Sequence, residues 1–156
     1  MSFIVRVDDR LVHGQVVVGW GQAAGLRHLV LVDDGIRASA WEQDLYRMGV
    51  PGGMDIEFAS VAEAGTAFGR WRGDGSRTML IVADVGTRAR LCAVADVRQV
   101  QLGGIHQGPG RRERLPYVFL SDDEVRALKA LEASGVEITA QDVPSRRPVP
   151  LEEIVR

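Results

Sequence analysis

The sequence predicts a single α/β domain, residues 1–156, built on an open, doubly wound and mostly parallel sheet with helices on both faces. Two observations predict this fold. Short apolar runs alternate with helix-length segments along all 156 residues. The apolar runs are also nearly continuous rather than alternating with polar residues, which is typical of parallel strands buried on both faces. No internal repeat or linker divides the chain, which favours one domain.

The first half of the chain contains three of these strand–helix pairs. In order, the sequence predicts strand 3–7, helix 14–24, strand 28–32, helix 38–48, strand 55–59 and a helix from 60 to about 71. The last helix begins at a capping box, because Ser60 is followed three residues later by Glu63.

The second half continues the alternation and ends in a proline-containing tail. In order, the sequence predicts strand 78–83, helix 87–95, strand 97–102, a glycine-rich loop, short strand 117–120, helix 121–133 and strand 136–140. Thr87 is expected to cap its helix, and Ser121 with Glu124 forms a second capping box. Gly135 is expected to end that helix as the residue after its C-cap. The prolines of the tail, residues 143–156, exclude a central strand there.

Composition excludes several classes of protein. The net charge of −2 and the isoelectric point near 5.9 give no electrostatic basis for nucleic-acid binding. Cys92 is the only cysteine, which excludes a disulfide within the chain and a cysteine-based metal site. No apolar run reaches the ~18–20 residues that span a bilayer, and the early charge at Arg6 does not fit a secretory signal. We therefore expect a cytoplasmic protein without direct membrane insertion.

Segment 8–15, which follows the first predicted strand, contains most of the candidate site residues. Doubly wound sheets bind ligands at the carboxyl ends of their strands. An arginine such as Arg10 can bind phosphate through two nitrogens, and a histidine such as His13 is a nucleophile toward phosphorus. A nearby aspartate can hold one ring nitrogen protonated, and the following helix start offers backbone N–H groups to an anion. The segment fits a phosphohistidine site, or alternatively a capped turn in which His13 is an ordinary surface residue.

A second loop at the same predicted edge is rich in glycine and arginine. Gly103, Gly104 and His106 lie in its first part. The loop either lines the anion site and docks a partner, or is a solvated loop whose glycines satisfy turns.

Three other functions fit the sequence less well. Residues 19–24 match the dinucleotide pattern G-x-G-x-x-A, but no strand of proper length precedes them. A metal-dependent hydrolase would use Asp8, Asp9 and His13 as ligands, yet Arg10 among them would repel a cation. A receiver domain is rejected because its phosphoaccepting aspartate and its lysine are missing after the third and fifth strands.

Segment 6–16, with Trp20 further on, closely resembles the IIB subunit of the mannose/fructose/sorbose family of bacterial sugar phosphotransferase systems. The resemblance covers essentially the whole chain. It continues through residues 30–34, 48–53, 101–106, 128–135 and 143–144. The first motif is specific, and the others are supportive.

This resemblance implies an open α/β fold and a phosphoryl carrier. His13 corresponds to the histidine that accepts a phosphoryl group from a phosphohistidine of the IIA subunit and passes it to a sugar brought in by the membrane subunits IIC and IID. Arg10 corresponds to the arginine expected to hold the phosphoryl oxygens. The resemblance also implies that Gly14 and Gln15 bring backbone N–H groups to the anion, and that either Asp8 or Asp9 orients the histidine ring or Arg10. It implies no metal and no cofactor.

The chain departs from the family pattern at residues 101–105, where the family commonly has asparagine before a small residue and then Gly-Gly-Met. Because of this departure, the resemblance does not predict which sugar of the mannose, fructose, sorbose and N-acetylgalactosamine class is preferred. No IIA domain is fused within these residues, so the donor is expected to be a separate protein. The alternative function is a regulatory carrier with the same His13 chemistry and no transported sugar.

Overall fold

The computed structural model describes residues 3–73 and 77–156, so the first two residues of the predicted domain lie outside the description. The strands are β1 Phe3–Val7, β2 His28–Val32, β3 Asp55–Ala59, β4 Thr78–Val82, β5 Gln99–Leu102, β6 Arg112–Leu115, β7 Val118–Leu120, β8 Glu137–Ala140 and β9 Val149–Pro150. The helices are α1 Gly21–Ala24, α2 Asp34–Arg37, α3 Ala40–Met48, α4 Val61–Gly73, α5 Val85–Val94, α6 Asp122–Ala133 and α7 Leu151–Ile154. A π-helical segment, Gln15–Trp20, leads directly into α1.

Seven strands form one sheet in the order β3-β2-β4-β1-β5-β8-β9. Every pairing in it is parallel except that of β8 with β9. From β1 the chain moves outward to β2 and β3 on one side, whereas from β5 it moves outward to β8 on the other. The direction of winding therefore reverses between the adjacent strands β1 and β5. Their carboxyl ends form the crevice where doubly wound sheets bind ligands.

Helices cover both faces of the sheet, as predicted. One core lies beneath α4, α5, α6 and α7 and contains the buried Phe68 and Trp71. The other lies beneath the π-helical segment and α2, and contains Trp20 and Ile36. On this second face β5 and β8 present polar side chains to an open cavity of about 790 Å³.

The local signals for helix ends are confirmed at three places. The Ser60 hydroxyl accepts a hydrogen bond from the Glu63 N–H at 3.0 Å, and the Glu63 carboxylate accepts one from the Ser60 N–H at 2.9 Å. The same reciprocal pair joins Ser121 and Glu124. Gly135 follows α6 with a φ of +102°, a conformation that glycine adopts without steric cost.

Two other local predictions are wrong, namely the helix cap at Thr87 and the glycine-rich loop without secondary structure. Thr87 does not cap α5, because Asp84 is the N-cap and its carboxylate accepts from the Thr87 N–H at 2.6 Å. The glycine-rich loop contains strand β6, which pairs with β7 in a separate two-stranded sheet. The predicted helix 14–24 is helical from Gln15 onward, although its first part, Gln15–Trp20, is a π-helix rather than an α-helix. The prediction that the prolines exclude a central strand from the tail is confirmed, because the tail contributes only β9, at the edge of the sheet, where proline is tolerated.

Candidate functional site

The loops that follow β1 and β5 meet at the predicted crevice. The Asp9 N–H donates to the Gly104 carbonyl at 2.9 Å, and the Gly103 N–H donates to the Val7 carbonyl at 2.7 Å. These backbone bonds extend the β1–β5 pairing beyond the strands. The sequence-predicted segments around His13 and His106 are therefore attached to one continuous edge.

A buried carboxylate between two arginines organises the crevice. Asp8 is fully buried, and its Oδ1 accepts from the Arg10 backbone N–H at 3.0 Å and from Arg10 Nε at 2.9 Å. Its Oδ2 accepts from Arg10 Nη2 at 2.7 Å and from Arg6 Nε at 3.2 Å. The Arg6 guanidinium is itself fully buried and donates to the Gln101 side chain. Arg10 keeps 17% of its side chain exposed. Asp8 therefore links the partly exposed Arg10 to the buried Arg6 beneath it.

Charge keeps these groups ionised. Burial raises the pKa of the Asp8 carboxyl, but hydrogen bonds from Arg10 and the charges of Arg6 and Arg10 outweigh it and hold the pKa below its ordinary value. The hydrogen bond to Asp8 raises the pKa of Arg10. Burial lowers the pKa of Arg6, although the charge of Asp8 opposes that effect. At neutral pH Arg10 is therefore a cation whose orientation is fixed by an ionised carboxylate.

The chain just after β8 completes the support of the two arginines. Arg6 donates to the Gln141 carbonyl at 2.9 Å and to the Asp142 carbonyl at 3.0 Å. The Asp142 carboxylate accepts from Arg10 Nη2 at 3.3 Å. Trp20 Nε1 donates to the Asp142 carbonyl at 3.2 Å, and the Trp20 ring lies 5.3 Å from the Arg6 guanidinium carbon. The π-helical segment is thereby tied to the crevice.

The glycine pair after β5 is required by this network. A Cβ on Gly103 would overlap the Arg6 guanidinium and the Asp8 carboxylate. A Cβ on Gly104 would lie 2.8 Å from Arg10 Nε, closer than real Cβ atoms approach. Both glycines, which the sequence placed in a partner or sugar loop, therefore make room for the arginines.

His13 lies on the exposed side of the same edge. Its carbonyl accepts from the Val17 N–H at 2.8 Å, which opens the π-helical segment that Gln15 begins. Gly14 is exposed, and no heavy atom lies within 4 Å of the place where its Cβ would be. Leu11 turns the loop with a φ of +55° while its side chain is buried. This left-handed residue separates the buried Asp8 from the exposed His13.

Asp9 and His106 form a second contact between the loops. Asp9 Oδ2 accepts from the His106 backbone N–H at 2.8 Å, and Asp9 Oδ1 lies 2.6 Å from His106 Nδ1. The His106 side chain is 69% exposed. The two aspartates thus have different partners: Asp8 holds Arg10, and Asp9 holds His106.

Three supporting residues were missed by the sequence analysis, which gave no role to Arg6, Trp20 or Asp142. The role of Arg6 could have been recognised from the sequence, because a charged residue in the middle of an otherwise apolar strand needs a buried partner. No sequence pattern indicates the role of Asp142, since its contacts with the crevice depend on the pairing of distant strands.

The site geometry disfavours a metal centre on segment 8–15. No group of three or more potential metal-binding side chains occurs within residues 3–73 and 77–156. Both carboxylate oxygens of Asp8 accept hydrogen bonds from arginine. A cation at this carboxylate would have to displace guanidinium groups that are already paired.

The whole chain matches one family of known proteins, described as the sorbose-subfamily IIB component of the phosphotransferase system (PTS), over residues 2–156. The chain belongs to this IIB family. It is a phosphoryl carrier of the mannose/fructose/sorbose class and a phosphotransferase, which confirms the predicted family and activity.

Individual relatives agree with this assignment. This IIB component is 30% identical over 145 residues to the N-acetylgalactosamine-specific phosphotransferase enzyme IIB component 1 of Escherichia coli strain K12, with 90% of each chain covered. It is 26% identical over 141 residues to the mannose-specific EIIAB component of the same strain, which covers 90% of this chain and 44% of that protein. The crystal structure of the E. coli N-acetylgalactosamine-specific IIB component 1 superimposes with a TM-score of 0.85 at 28% identity, covering 94% of this chain and 96% of that one. The predicted α/β fold is therefore confirmed.

One further property of this IIB component concerns membranes. Within the described ranges, no helix has both the length and the apolar character needed to cross a bilayer.

Proposed function

We propose that this IIB component carries its phosphoryl group on His13. The group comes from a phosphohistidine of a IIA donor and passes to a sugar during uptake through IIC and IID subunits. The observation that supports this most directly is the Asp8–Arg10 pair, which holds a guanidinium in the loop that carries the exposed His13.

Arg10 is proposed to bind the phosphoryl oxygens. A phosphoryl group in transfer spreads negative charge over three equatorial oxygens, and a guanidinium presents several N–H donors in a rigid plane. Gly14 and Gln15 are proposed to add backbone N–H groups from the helix start. Asp8 would position Arg10, and Asp9 would position the neighbouring loop through His106.

The transfer needs no metal and no cofactor in this proposal. The N–P bond of a phosphohistidine is already activated, so the protein has to orient the group and neutralise its charge. The buried Asp8–Arg6 pair beneath Arg10 supplies a fixed electrostatic environment for that purpose.

Membership of the IIB family supports the proposed partners. A relative named as a mannose-specific EIIAB component is more than twice the length that matches this chain. We propose that the corresponding IIA unit is the phosphoryl donor for this IIB component in the cytoplasm. The sugar belongs to the mannose, fructose, sorbose and N-acetylgalactosamine class.

The chain offers a complete histidine series for the test. It has three histidines, His13, His28 and His106. The wild type and the three single His→Ala variants are incubated with phosphoenolpyruvate and the upstream phosphotransfer proteins. An acid-labile, base-stable phosphate is expected on every form except His13→Ala. Equal labelling of His13→Ala would remove His13 from the mechanism, whereas labelled protein that delivers phosphate to no sugar would favour the regulatory alternative.

A further inference from the structure

The Asp9–His106 pair lies at the edge of the crevice and is distinct from the Asp8–Arg10 contact on which the proposed phosphoryl site depends. Its geometry is that of an oriented imidazole. Asp9 Oδ1 lies 2.6 Å from Nδ1, and a carboxylate in that position favours the tautomer with its proton on Nδ1. In that tautomer the lone pair of the ring is on Nε2, on a side chain that is 69% exposed.

The backbone of His106 is held as firmly as its ring. Its N–H donates to the other oxygen of Asp9, and its carbonyl accepts from Arg111 Nη1 at 3.0 Å. Arg111 is fixed in turn by a two-point contact with Glu124, both distances being 2.9 Å. Glu124 belongs to the capping box that opens α6. An exposed histidine anchored through three elements is pre-organised for a task in solvent.

The two transfers expected of a phosphoryl carrier differ in their need for a base. When one histidine passes the group to another, a ring nitrogen leaves and a ring nitrogen attacks, so no proton has to be removed. When the acceptor is a sugar, a hydroxyl attacks and its proton must go elsewhere. A positioned base is therefore useful in the second transfer only.

We propose that His106, oriented by Asp9, is the general base that accepts the proton of the attacking sugar hydroxyl. The inference rests on the proposed function of His13. In the step, the sugar oxygen forms a bond to phosphorus while the N–P bond at His13 breaks, and its electron pair returns to the ring nitrogen. The hydroxyl proton moves to Nε2 of His106 and is later released to solvent.

The test compares the two transfers in single-turnover experiments on the wild type and His106→Asn. Asparagine keeps an N–H donor for Asp9 but has no basic nitrogen. The first measurement is the rate of ³²P labelling from phosphoenolpyruvate and the upstream proteins. The second is the rate of label transfer to N-acetylgalactosamine, mannose, fructose or sorbose in the presence of membranes containing the IIC and IID subunits. The ratio of the second rate to the first is expected to fall about 10²-fold, the size typical of a lost general base.

A solvent deuterium isotope effect separates proton transfer from simple support of the loop. It is expected on sugar transfer by the wild type and should be abolished in His106→Asn. His28→Asn is the matched control, since His28 also contacts a carboxylate, Glu57 at 3.1 Å, but lies at the opposite end of the strands. This control should change neither rate.

Each outcome decides the inference. An unchanged ratio in His106→Asn, or an isotope effect that persists, would overturn it while leaving His13 as the carrier. Wild-type protein that is labelled on His13 but transfers to none of the sugars would also overturn it. Failure of the wild type to be labelled on His13 would instead overturn the proposed function itself.

Discussion

Asp8 holds Arg10 side-on, with Oδ1 2.9 Å from Nε and Oδ2 2.7 Å from Nη2. This two-point contact fixes the plane of the guanidinium. Because Asp8 is fully buried and also paired with Arg6, its own position is fixed before any phosphoryl group arrives. Pre-organised charge of this kind stabilises a transition state without reorganisation during the reaction.

The first prediction concerns Arg10. Arg10→Ala is expected to slow phosphoryl transfer through His13 by about 10²-fold or more, the typical effect of removing one charge-stabilising donor. Arg10→Lys should recover only part of that loss, because lysine cannot reproduce the planar contact. Both variants should retain the circular dichroism spectrum of the wild type. Unchanged transfer in Arg10→Ala, measured by rapid quench, would refute the assigned role.

The second prediction concerns Asp8. Asp8→Asn leaves two closely placed arginines without their buried anion, so the free energy of unfolding should fall by about 3–5 kcal/mol. The folded-state pKa of Asp8 lies below its ordinary value. The stabilisation that the Asp8 carboxylate contributes is therefore complete above the pKa of about 3.9 in the unfolded chain. It is lost as the pH falls through the lower pKa of the folded protein.

Urea unfolding of the wild type and Asp8→Asn between pH 7 and pH 3 measures this effect. The difference between the two proteins should be largest near neutrality and should shrink at the acid end. Asp44→Asn is the control, because Asp44 is exposed and its ion pair with Arg47 lies on the surface. A constant difference across the pH range would contradict the prediction.

The sequence predicted the sheet well but predicted only part of this support. Strand β1, at Phe3–Val7, and the two capping boxes depend on local patterns, so they could be recognised from neighbouring residues. The contacts of Arg6 with Gln101 and Asp142 join residues that are 95 and 136 positions apart. They exist only after β1, β5 and β8 have paired, and no local pattern encodes them.

The different roles of the two aspartates also could not be predicted from the sequence. Asp8 and Asp9 are adjacent and chemically the same, and either could orient a neighbour. The strand geometry separates them, because Asp8 continues β1 into the protein while Asp9 lies beside the β5 loop. Strand β6 was not predicted either, because it is short and polar and follows a glycine-rich segment, so no apolar run indicates a strand there.

The third prediction concerns the glycine pair. Gly104→Ala places a Cβ 2.8 Å from Arg10 Nε, so Arg10 must move, and transfer should slow about as much as in Arg10→Ala. Gly69→Ala is the control, since it lies in α4 with open space around its Cβ position. That change should raise the free energy of unfolding by about 0.5–1 kcal/mol through helix propensity.

Transfer rates and thermal unfolding of the two glycine variants provide the comparison. Full transfer activity in Gly104→Ala would show that the position of Arg10 does not limit the reaction.

The fourth prediction concerns a buried cation away from the site. Arg88 in α5 is 2% exposed, and its Nε and Nη2 have no hydrogen-bond partner among the described residues. Unsatisfied buried donors cost about 1–3 kcal/mol. Arg88→Met should therefore raise the free energy of unfolding by about that amount.

Arg90→Met, in the same helix, is the matched control. Arg90 is exposed and pairs with Asp34 on the surface, so its replacement should change stability by less than about 1 kcal/mol. Destabilisation by Arg88→Met in urea unfolding would contradict the prediction.

Mapping the phosphoryl group on the wild-type chain tests the central claim most directly. Cleavage after arginine separates the three histidines into peptides 11–27, 28–37 and 99–111. After labelling with phosphoenolpyruvate and the upstream proteins, and digestion at alkaline pH to preserve the N–P bond, mass spectrometry should find the added phosphoryl group on peptide 11–27, at His13. A phosphoryl group on peptide 28–37 or 99–111, with none on 11–27, would contradict the account.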